Sequence, residues 1–449
     1  QEGSGNQAVI LLVAWIAFCA VFAVLARNRP MLSVGLATAL WFLVPSIAGH
    51  LITGQADGSL SFHPASWLVL AAFGVQSFYN GRRLVAIVAD HILLFLVFVV
   101  VIAVALVNTR YSTFGGGTVI LIDQIVVPVL VFMLILLGAT KRSLQRFRTM
   151  LIVLTTVSVI VAIVQWSLKE TVFYTAQFAD TYWFDPRYDR WMGTFDQPLA
   201  LSLVVCVVTP LLAGVRYWWL RVPLLALMVA GALVSQSRLG IALVVVAAVY
   251  VVVSTATTPA RRAMGLFVTA VAVVSAAFSP LAAGVLGRLE NDTGSTHARE
   301  LALSFFLSDW PDFFLVGQGI SSSYRVASAA GLGTSLESSI LMYAIDIGIV
   351  FAVLYFGSMI YLLVRYRTSS TVRGIQVAGV LAFVIPMTYS ALATRSVAGI
   401  LVWSILAVVT ASSLIRSTEL RADSADLLEV GPRVEAGDDP VVSRTSQVL

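Results

Sequence analysis

Charge is scarce in this sequence, lysine is almost absent, and histidine and cysteine are rare. Charged residues make up 11% of the 449, against roughly a quarter in soluble domains. No soluble catalytic domain can therefore be carved from the chain, and any chemistry belongs to a membrane surface or to the inside of a helix bundle. The four histidines, His50, His63, His91 and His297, stand at no helical ligand spacing with one another or with a cysteine, which predicts no metal site. Cys19 and Cys206 both fall in apolar runs and read as small core residues, silent on redox compartment. No Gly-rich loop followed by Lys and Ser or Thr is present, so ATP-driven work has no seat. Basic residues interleaved with aromatics on one face are missing too, and with them the case for a nucleic-acid partner.

What is there is apolar sequence of membrane length. Hydrophobic residues reach 59%, and mean hydropathy is +0.92. Runs of about 8–26, 32–52, 65–78, 84–107, 118–138, 147–167, 198–215, 217–234, 239–256, 263–282, 336–364, 373–392 and 396–415 approach the ~20 residues a helix needs to cross a bilayer. The third is short enough to be re-entrant. The runs are continuously apolar and do not alternate at period two, so they predict helices and not barrel strands. The expected fold is all-α: a polytopic integral membrane bundle of about 12–13 transmembrane helices over residues 1–415, with external loops at about 168–197 and 284–335, the larger containing short helices. Gln1–Gly5 reads as a cloning remnant, and no cleaved signal pattern follows, so the first span is expected to be retained. From 416 to 449 the chain is polar and acidic and reads as a disordered cytoplasmic tail.

Arginine placement gives orientation. One side of this topology collects Arg27, Arg29, Arg82, Arg83, Lys141, Arg142, Arg146 and Arg148, with Arg216, Arg221, Arg261, Arg262, Arg365, Arg367, Arg373, Arg416 and Arg421 later in the chain. The other has only Arg110, Lys169, Arg187, Arg190, Arg238, Arg288, Arg299, Arg325 and Arg395. By the positive-inside rule the first side is cytoplasmic and both long loops face out. The net charge of +5 is thus mainly a cytoplasmic-loop effect. Arg-, Ala- and Val-rich composition suits a bacterial cytoplasmic membrane protein encoded in a GC-rich genome.

Three outward arginines stand where charge is costly. Arg238, in Ser235-Gln236-Ser237-Arg238, lies in a link so short that its guanidinium sits close to the boundary of two helices; it is either an interfacial anchor or an anion ligand flanked by hydroxyl and amide donors. Arg190 precedes Gly193-Thr194-Phe195-Asp196-Gln197-Pro198, where Pro suits a helix's first turn and Thr194 or Asp196 could cap it; a surface pair with Asp185 or Asp189 is the plain alternative. Arg299 opens an expected helix over 298–310 after Thr293-Gly294-Ser295-Thr296, and a solvated arginine on an amphipathic helix is its plain reading. For Arg288, Arg325 and Arg395 the structural reading leads. Three guanidiniums reaching one cavity suit a diphosphate, since each offers a planar pair of donors.

With these pieces in view the chain resembles the O-antigen ligase and polymerase superfamily of bacterial envelope glycosyltransferases. The resemblance spans about 190–348 and rests on Arg190-Trp191-Met192-Gly193-Thr194-Phe195 with Gln197-Pro198, on Ser235 to Arg238, on Asp292-Thr293-Gly294-Ser295 with Arg299, on Gly317-Gln318-Gly319, and on Glu337 to Gly348. It implies transfer of a glycan from a polyprenyl diphosphate carrier to an acceptor hydroxyl, on the outer face and without a metal; the reaction expected here is inverting, needs no cofactor and takes a glycan or glycolipid acceptor. Arg238 and Arg299 fall where the family keeps arginines thought to hold the diphosphate, and Arg190 joins them. Paired carboxylates for a metal and nucleotide sugar are absent, and the basic connection Arg27-Asn28-Arg29-Pro30 argues against the polyprenyl-dependent enzymes that keep acidic residues after their first span. Two positions depart from the pattern: Leu199 replaces an Asn, and Glu337-Ser338 replaces a His-Asn pair. Glu337 is accordingly the expected base, with His297 as runner-up, since a carboxylate at a span's outer end can take an acceptor proton. It is also a candidate ion-pair acceptor for Arg299 or Arg238. The alternative function is a transporter or flippase of lipid-linked glycan, in which the arginines bind the same diphosphate and no bond breaks.

Overall fold

Prolines begin several helices of this chain, as their fixed φ and missing N–H allow. Pro30, Pro64 and Pro198 occupy first turns, while Thr140 and Ser143 cap the longest early helix with reciprocal bonds at 3.1 and 2.8 Å. The computed structural model describes residues 2–112, 117–179, 181, 184–186, 189–280, 293–332, 336–367 and 370–429. Among them every regular element is helical. In chain order the main ones are α1 (Glu2–Leu25), α2 (Pro30–Leu43), α3 (Pro64–Tyr79), α4 (Gly81–Asp90), α5 (Ile92–Tyr111), α6 (Thr118–Gly138), α7 (Lys141–Leu168) and α8 (Pro198–Val208). They continue as α9 (Trp218–Val234), α10 (Arg238–Thr255), α11 (Pro259–Ala277), α12 (Thr293–Asp309), α13 (Ser339–Ile347), α14 (Ile349–Arg365), α15 (Ile375–Val384) and α16 (Ala398–Glu429).

Six described helices are long and apolar enough to cross a membrane, in α1, α5, α6, α7, α10 and α16, and shorter apolar helices stand among them. The chain is a multi-pass membrane protein. Several runs that look continuous in sequence are broken. The 32–52 run bends by 96° between α2 and the short helical stretch Ser46–Thr53, where Pro45 cannot continue α2. The 84–107 run divides at His91, and 336–364 divides at Gly348. Gly348 has φ +99°, and a Cβ there would come within 2.9 Å of the Leu315 carbonyl oxygen, so glycine both turns the chain and admits the 313–320 loop. Helix α12 starts at Thr293, five residues before the expected 298, so the turn and cap residues foreseen at 293–296 lie within it. The polar segment expected to be disordered from 416 instead continues α16 to Glu429, and Glu419 bonds Lys141 and Arg416 at 3.1 and 3.2 Å; residues 430–449 lie outside those described.

The core sits around α16, whose apolar window is 89% buried against 17% for α1. Trp403 anchors it among Phe98, Phe132 and Tyr355, donating its indole N–H to the Tyr355 hydroxyl at 2.9 Å. Between lipid-facing helices burial gains little from dehydration, so close van der Waals fit carries the packing. Gly231 of α9 illustrates it, since a Cβ there would press to 2.7 Å from Val159 of α7. Because α16 is central, the preceding loop at 388–397 is pinned at one end of the bundle. That end also receives the C-terminus of α7 and the N-termini of α8, α10 and α13. We call it the loop face, and the end where α2 and α7 begin the basic face.

Gly193 fastens the connection ahead of α8 to this frame. Its φ is +67°, a Cβ would lie 2.3 Å from the Ser158 carbonyl oxygen, and its N–H and C=O are both satisfied by the Gln165 side chain at 2.8 Å. Gly193→Ala combines backbone strain with a clash against main chain, and is expected to cost at least about 3 kcal/mol, read as a large drop in thermal midpoint in detergent.

Candidate functional site

The loop between α15 and α16 brings separated polar segments together through Tyr389. Its hydroxyl bonds the Ser237 hydroxyl and approaches Ser202 Oγ at 3.3 Å, while its carbonyl accepts from the Ser339 N–H at 3.0 Å and from Ser339 Oγ at 2.6 Å. Ser237 caps α10 next to Arg238, and Ser339 opens α13 two residues after Glu337. Gly240 makes room for the Ser202 contact, because a Cβ there would overlap Ser202 Oγ. Burial pushes the Tyr389 phenol above its ordinary range, against the bonds from Ser202 and Ser237 and the positive charge of Arg190.

The segments carrying Arg190 and Arg238 meet along a short antiparallel contact of two loops. Trp191 N donates to the Val234 carbonyl at 3.3 Å, Arg190 Nε to the Ser235 carbonyl at 3.3 Å, and Gln236 Nε2 to the Asp189 carbonyl at 2.9 Å. Both arginines are half-buried, and Arg238 is the first residue of α10, whose partial positive helix end adds to its charge. Asp189 pairs with Lys169 at 2.6 Å and accepts from the Trp191 indole at 2.9 Å.

Arg299 and Glu337 are brought together directly. Arg299 Nε and NH2 donate to Glu337 Oε2 at 2.8 and 2.6 Å, so of the two expected acceptor pairings it is that with Arg299 that forms. The side chains are 50% and 32% exposed, and such a pair contributes about 0–1 kcal/mol. Glu337 meanwhile holds φ at +40°, which costs a non-glycine residue about 1–3 kcal/mol. Stability alone does not account for this carboxylate. Six described non-glycine residues have positive φ; of these Asp189 and Gln236 lie within two residues of an expected diphosphate-binding arginine, and Glu337 is the expected base. Strain of this kind gathers where a fold must aim side chains.

His297, the second candidate base, is exposed on α12. It stands two positions before Arg299, and at 100° per residue that turns it to nearly the opposite side of the helix. The structure does not bring it to Glu337. Asp292 and Arg288 lie outside the described residues. Gly317-Gln318-Gly319 serves a structural end: Gln318 N and Gly319 N donate to the Ile345 and Asp346 carbonyls at 2.8 and 2.9 Å, and a Cβ on Gly317 would overlap the Asp346 backbone. The buried Asp346 carboxylate then accepts from Ser321 N at 2.9 Å and Ser323 N at 2.8 Å, holding the start of Ser323–Ala329.

Much of the Arg190–Pro198 motif is likewise structural. Trp191, Met192 and Phe195 are fully buried or nearly so. Neither Thr194 nor Asp196 caps α8, whose N-cap is Gln197 without a side-chain bond. Thr194 instead donates to the Phe42 carbonyl, and Asp196 Oδ1 accepts from Ser46 N at 2.6 Å and Ser46 Oγ at 2.7 Å, bonding the turn after the 96° bend. Burial pushes the Asp196 carboxyl up to about 6, against those bonds. Its folded pKa exceeds the unfolded one, so its contribution to stability is complete below about pH 4 and lost as pH rises through 6. That loss amounts to roughly 3 kcal/mol. Asp196→Asn should remove this component, leaving a thermal midpoint that falls less than wild type between pH 4 and pH 7; equal slopes would contradict it.

One polar cluster went unforeseen. Asp123, fully buried in a π-helical turn at Ile122–Val126, accepts from Arg395 Nε at 2.6 Å, Ser66 Oγ at 2.6 Å and His63 N at 3.1 Å. Arg395 therefore has the structural role expected of it. Its partner's signal was a lone carboxylate inside the apolar run 118–138, whereas Tyr389, an aromatic at the end of another run, carried none. Among the described residues, no three His, Cys, Asp or Glu side chains are grouped to hold a metal ion.

Comparison with protein-family models gives no match, and no curated protein matches the chain.

Proposed function

We propose that this protein is an inverting glycosyltransferase that moves a glycan from a polyprenyl diphosphate carrier to an acceptor hydroxyl, in the manner of the O-antigen ligases and polymerases. The observation that carries the reading is that the segments carrying Arg190, Arg238 and Arg299 gather around the Tyr389 loop: Arg190 bonds the Ser235 carbonyl, Ser237 beside Arg238 bonds the Tyr389 hydroxyl, and Ser339, two residues after Arg299's partner Glu337, bonds the Tyr389 carbonyl. On the positive-inside rule the loop face is the outer face of a bacterial cytoplasmic membrane.

In this reading the donor's diphosphate lies against Arg190, Arg238 and the N-terminus of α10. Arg299 uses its Nε and NH2 edge on Glu337, and its NH1 edge remains for a phosphate oxygen, so one guanidinium spans leaving group and base. The acceptor oxygen attacks the anomeric carbon, its proton passes to Glu337 Oε1, and the bond from that carbon to the diphosphate oxygen breaks. The arginines take up the charge that develops on the departing diphosphate. Tyr389 and Ser237 keep Arg238's turn in place, and the prenyl chain runs between apolar helices.

Purified protein incubated with labelled polyprenyl diphosphate glycan and candidate acceptors tests this. Release of free polyprenyl diphosphate with a glycosylated acceptor is the expected result. Passage of intact donor across a proteoliposome bilayer, with no cleavage, would instead make the protein a translocator of the same lipid.

A further inference from the structure

The basic face carries a second site of a different kind. A cavity of about 1090 Å³ opens there, lined by Arg27, Arg29, Arg83, Arg142 and Arg146. The five come from three stretches of chain: the link before α2, the first turn of α4, and the first two turns of α7. Arg142 and Arg146 stand four residues apart on one side of α7, a like-charge spacing that costs stability when nothing neutralises it. Among the described residues lining the cavity there is no carboxylate. The nearby Glu419 is engaged elsewhere, by Lys141 and Arg416. Arg27 donates to the Tyr79 hydroxyl at 3.2 Å and lies 4.9 Å over its ring, which fixes the guanidinium without cancelling its charge. The positive-inside rule accounts for arginines on this face; it does not account for five around one concavity.

Deeper in, the lining changes character. Leu36, Ala39 and Met150 continue the wall, six and nine residues into α2 and nine into α7, or roughly 9–14 Å along their axes. The cavity thus runs from a ring of guanidiniums into apolar side chains. It is also remote from Tyr389: α7, 28 residues long and about 42 Å from end to end, begins at this cavity and ends next to Lys169, which pairs with Asp189 beside Arg190.

We propose that this cavity binds an anionic phospholipid, its phosphodiester held by the arginines and an acyl chain laid against Leu36, Ala39 and Met150. Phosphate matches the planar donor pairs of arginine, basic pockets between helices on a membrane's cytoplasmic side suit such headgroups, and the apolar inner wall selects a lipid over a soluble phosphate. The inference does not depend on the glycosyltransferase reading.

The test is native mass spectrometry of the purified full chain, delipidated in neutral detergent and titrated with phosphatidylglycerol, cardiolipin, phosphatidylcholine or glycerol 3-phosphate. Retention of phosphatidylglycerol or cardiolipin at least tenfold above phosphatidylcholine is expected, with no competition from equimolar glycerol 3-phosphate. The Arg29→Gln, Arg142→Gln, Arg146→Gln triple variant should lose that preference. Arg261→Gln with Arg262→Gln, on the same face but outside the cavity, should keep it. Met150→Trp, which obstructs the apolar wall, should weaken lipid retention. Equal retention by wild type and triple variant, equal binding of phosphatidylcholine, or displacement by glycerol 3-phosphate would each overturn the proposal. Should the triple variant lose its thermal transition in phosphatidylcholine micelles, Arg29→Gln and Arg146→Gln singly decide: each is expected to weaken retention about threefold, and no change in both overturns it.

Discussion

Arg299→Ala is expected to lower donor turnover by about 10²–10³-fold, the usual cost of removing one preorganised donor from developing negative charge. Arg299→Lys should recover only part of this, because an ammonium cannot hold Glu337 and a phosphate oxygen on two edges of one plane. In the proposed reaction, Glu337→Gln isolates the proton transfer. The amide oxygen can still accept from Arg299, but no proton can be taken from the acceptor, so turnover should fall by about 10²–10⁴-fold with donor affinity unchanged. Glu337→Gly adds a readout of opposite sign. It relieves a backbone held at φ +40° and should raise stability by about 1 kcal/mol while turnover is lost. Full turnover in Glu337→Gln would remove the base from the mechanism, and full turnover in Arg299→Ala would remove the leaving-group role.

Asp123→Ala should be among the most destabilising single changes in the protein, at about 3–5 kcal/mol, because it leaves the Arg395 charge without its ionic partner in a low-dielectric setting. The carboxylate is fully buried and the guanidinium only 21% exposed, so water can repay little of the loss. Arg395 also donates to the Ser61 carbonyl, and its own carbonyl accepts from Ser46 Oγ at 3.1 Å. The pair therefore ties the 388–397 loop to the bend after α2. Asp123→Ala combined with Arg395→Met should recover a good part of the stability, since no unpaired charge then remains. A thermal-denaturation cycle of the two singles and the double measures the coupling, and a value near zero would mean that the pair is incidental.

How far the sequence could be read follows from where its polar residues fall. Arg299 and Glu337 announce themselves because each interrupts or borders apolar sequence, and opposite charges at a bilayer edge seek each other. Arg238 is legible for the same reason. Tyr389 is not, since an aromatic at the end of an apolar run looks like any other interfacial tyrosine; its importance lies in bonds to Ser202, Ser237 and Ser339, three residues far away in sequence. Asp123 had a visible signal in its isolation, and its complement Arg395 was visible too, but nothing in the spacing of 272 residues joins them.

The breaks in the helices show the same limit. Pro45 and Gly348 mark possible interruptions, yet the 96° bend at the first depends on Asp196 bonding Ser46, and the turn at the second on the 313–320 loop arriving to fill the space a side chain would occupy. The sequence by itself determined that the chain is an all-helical, multi-pass membrane protein with scarce, unevenly placed charge, because hydropathy and length are properties of each segment alone. Tertiary structure decided which segments meet: that α16 is central, that Tyr389 joins α8 to the starts of α10 and α13, and that five arginines surround one cavity on the opposite face. A helix apolar on every side carries no stripe that names its neighbours, so those choices rest on shape and on the pairing of a few polar groups, which only the folded chain brings within reach.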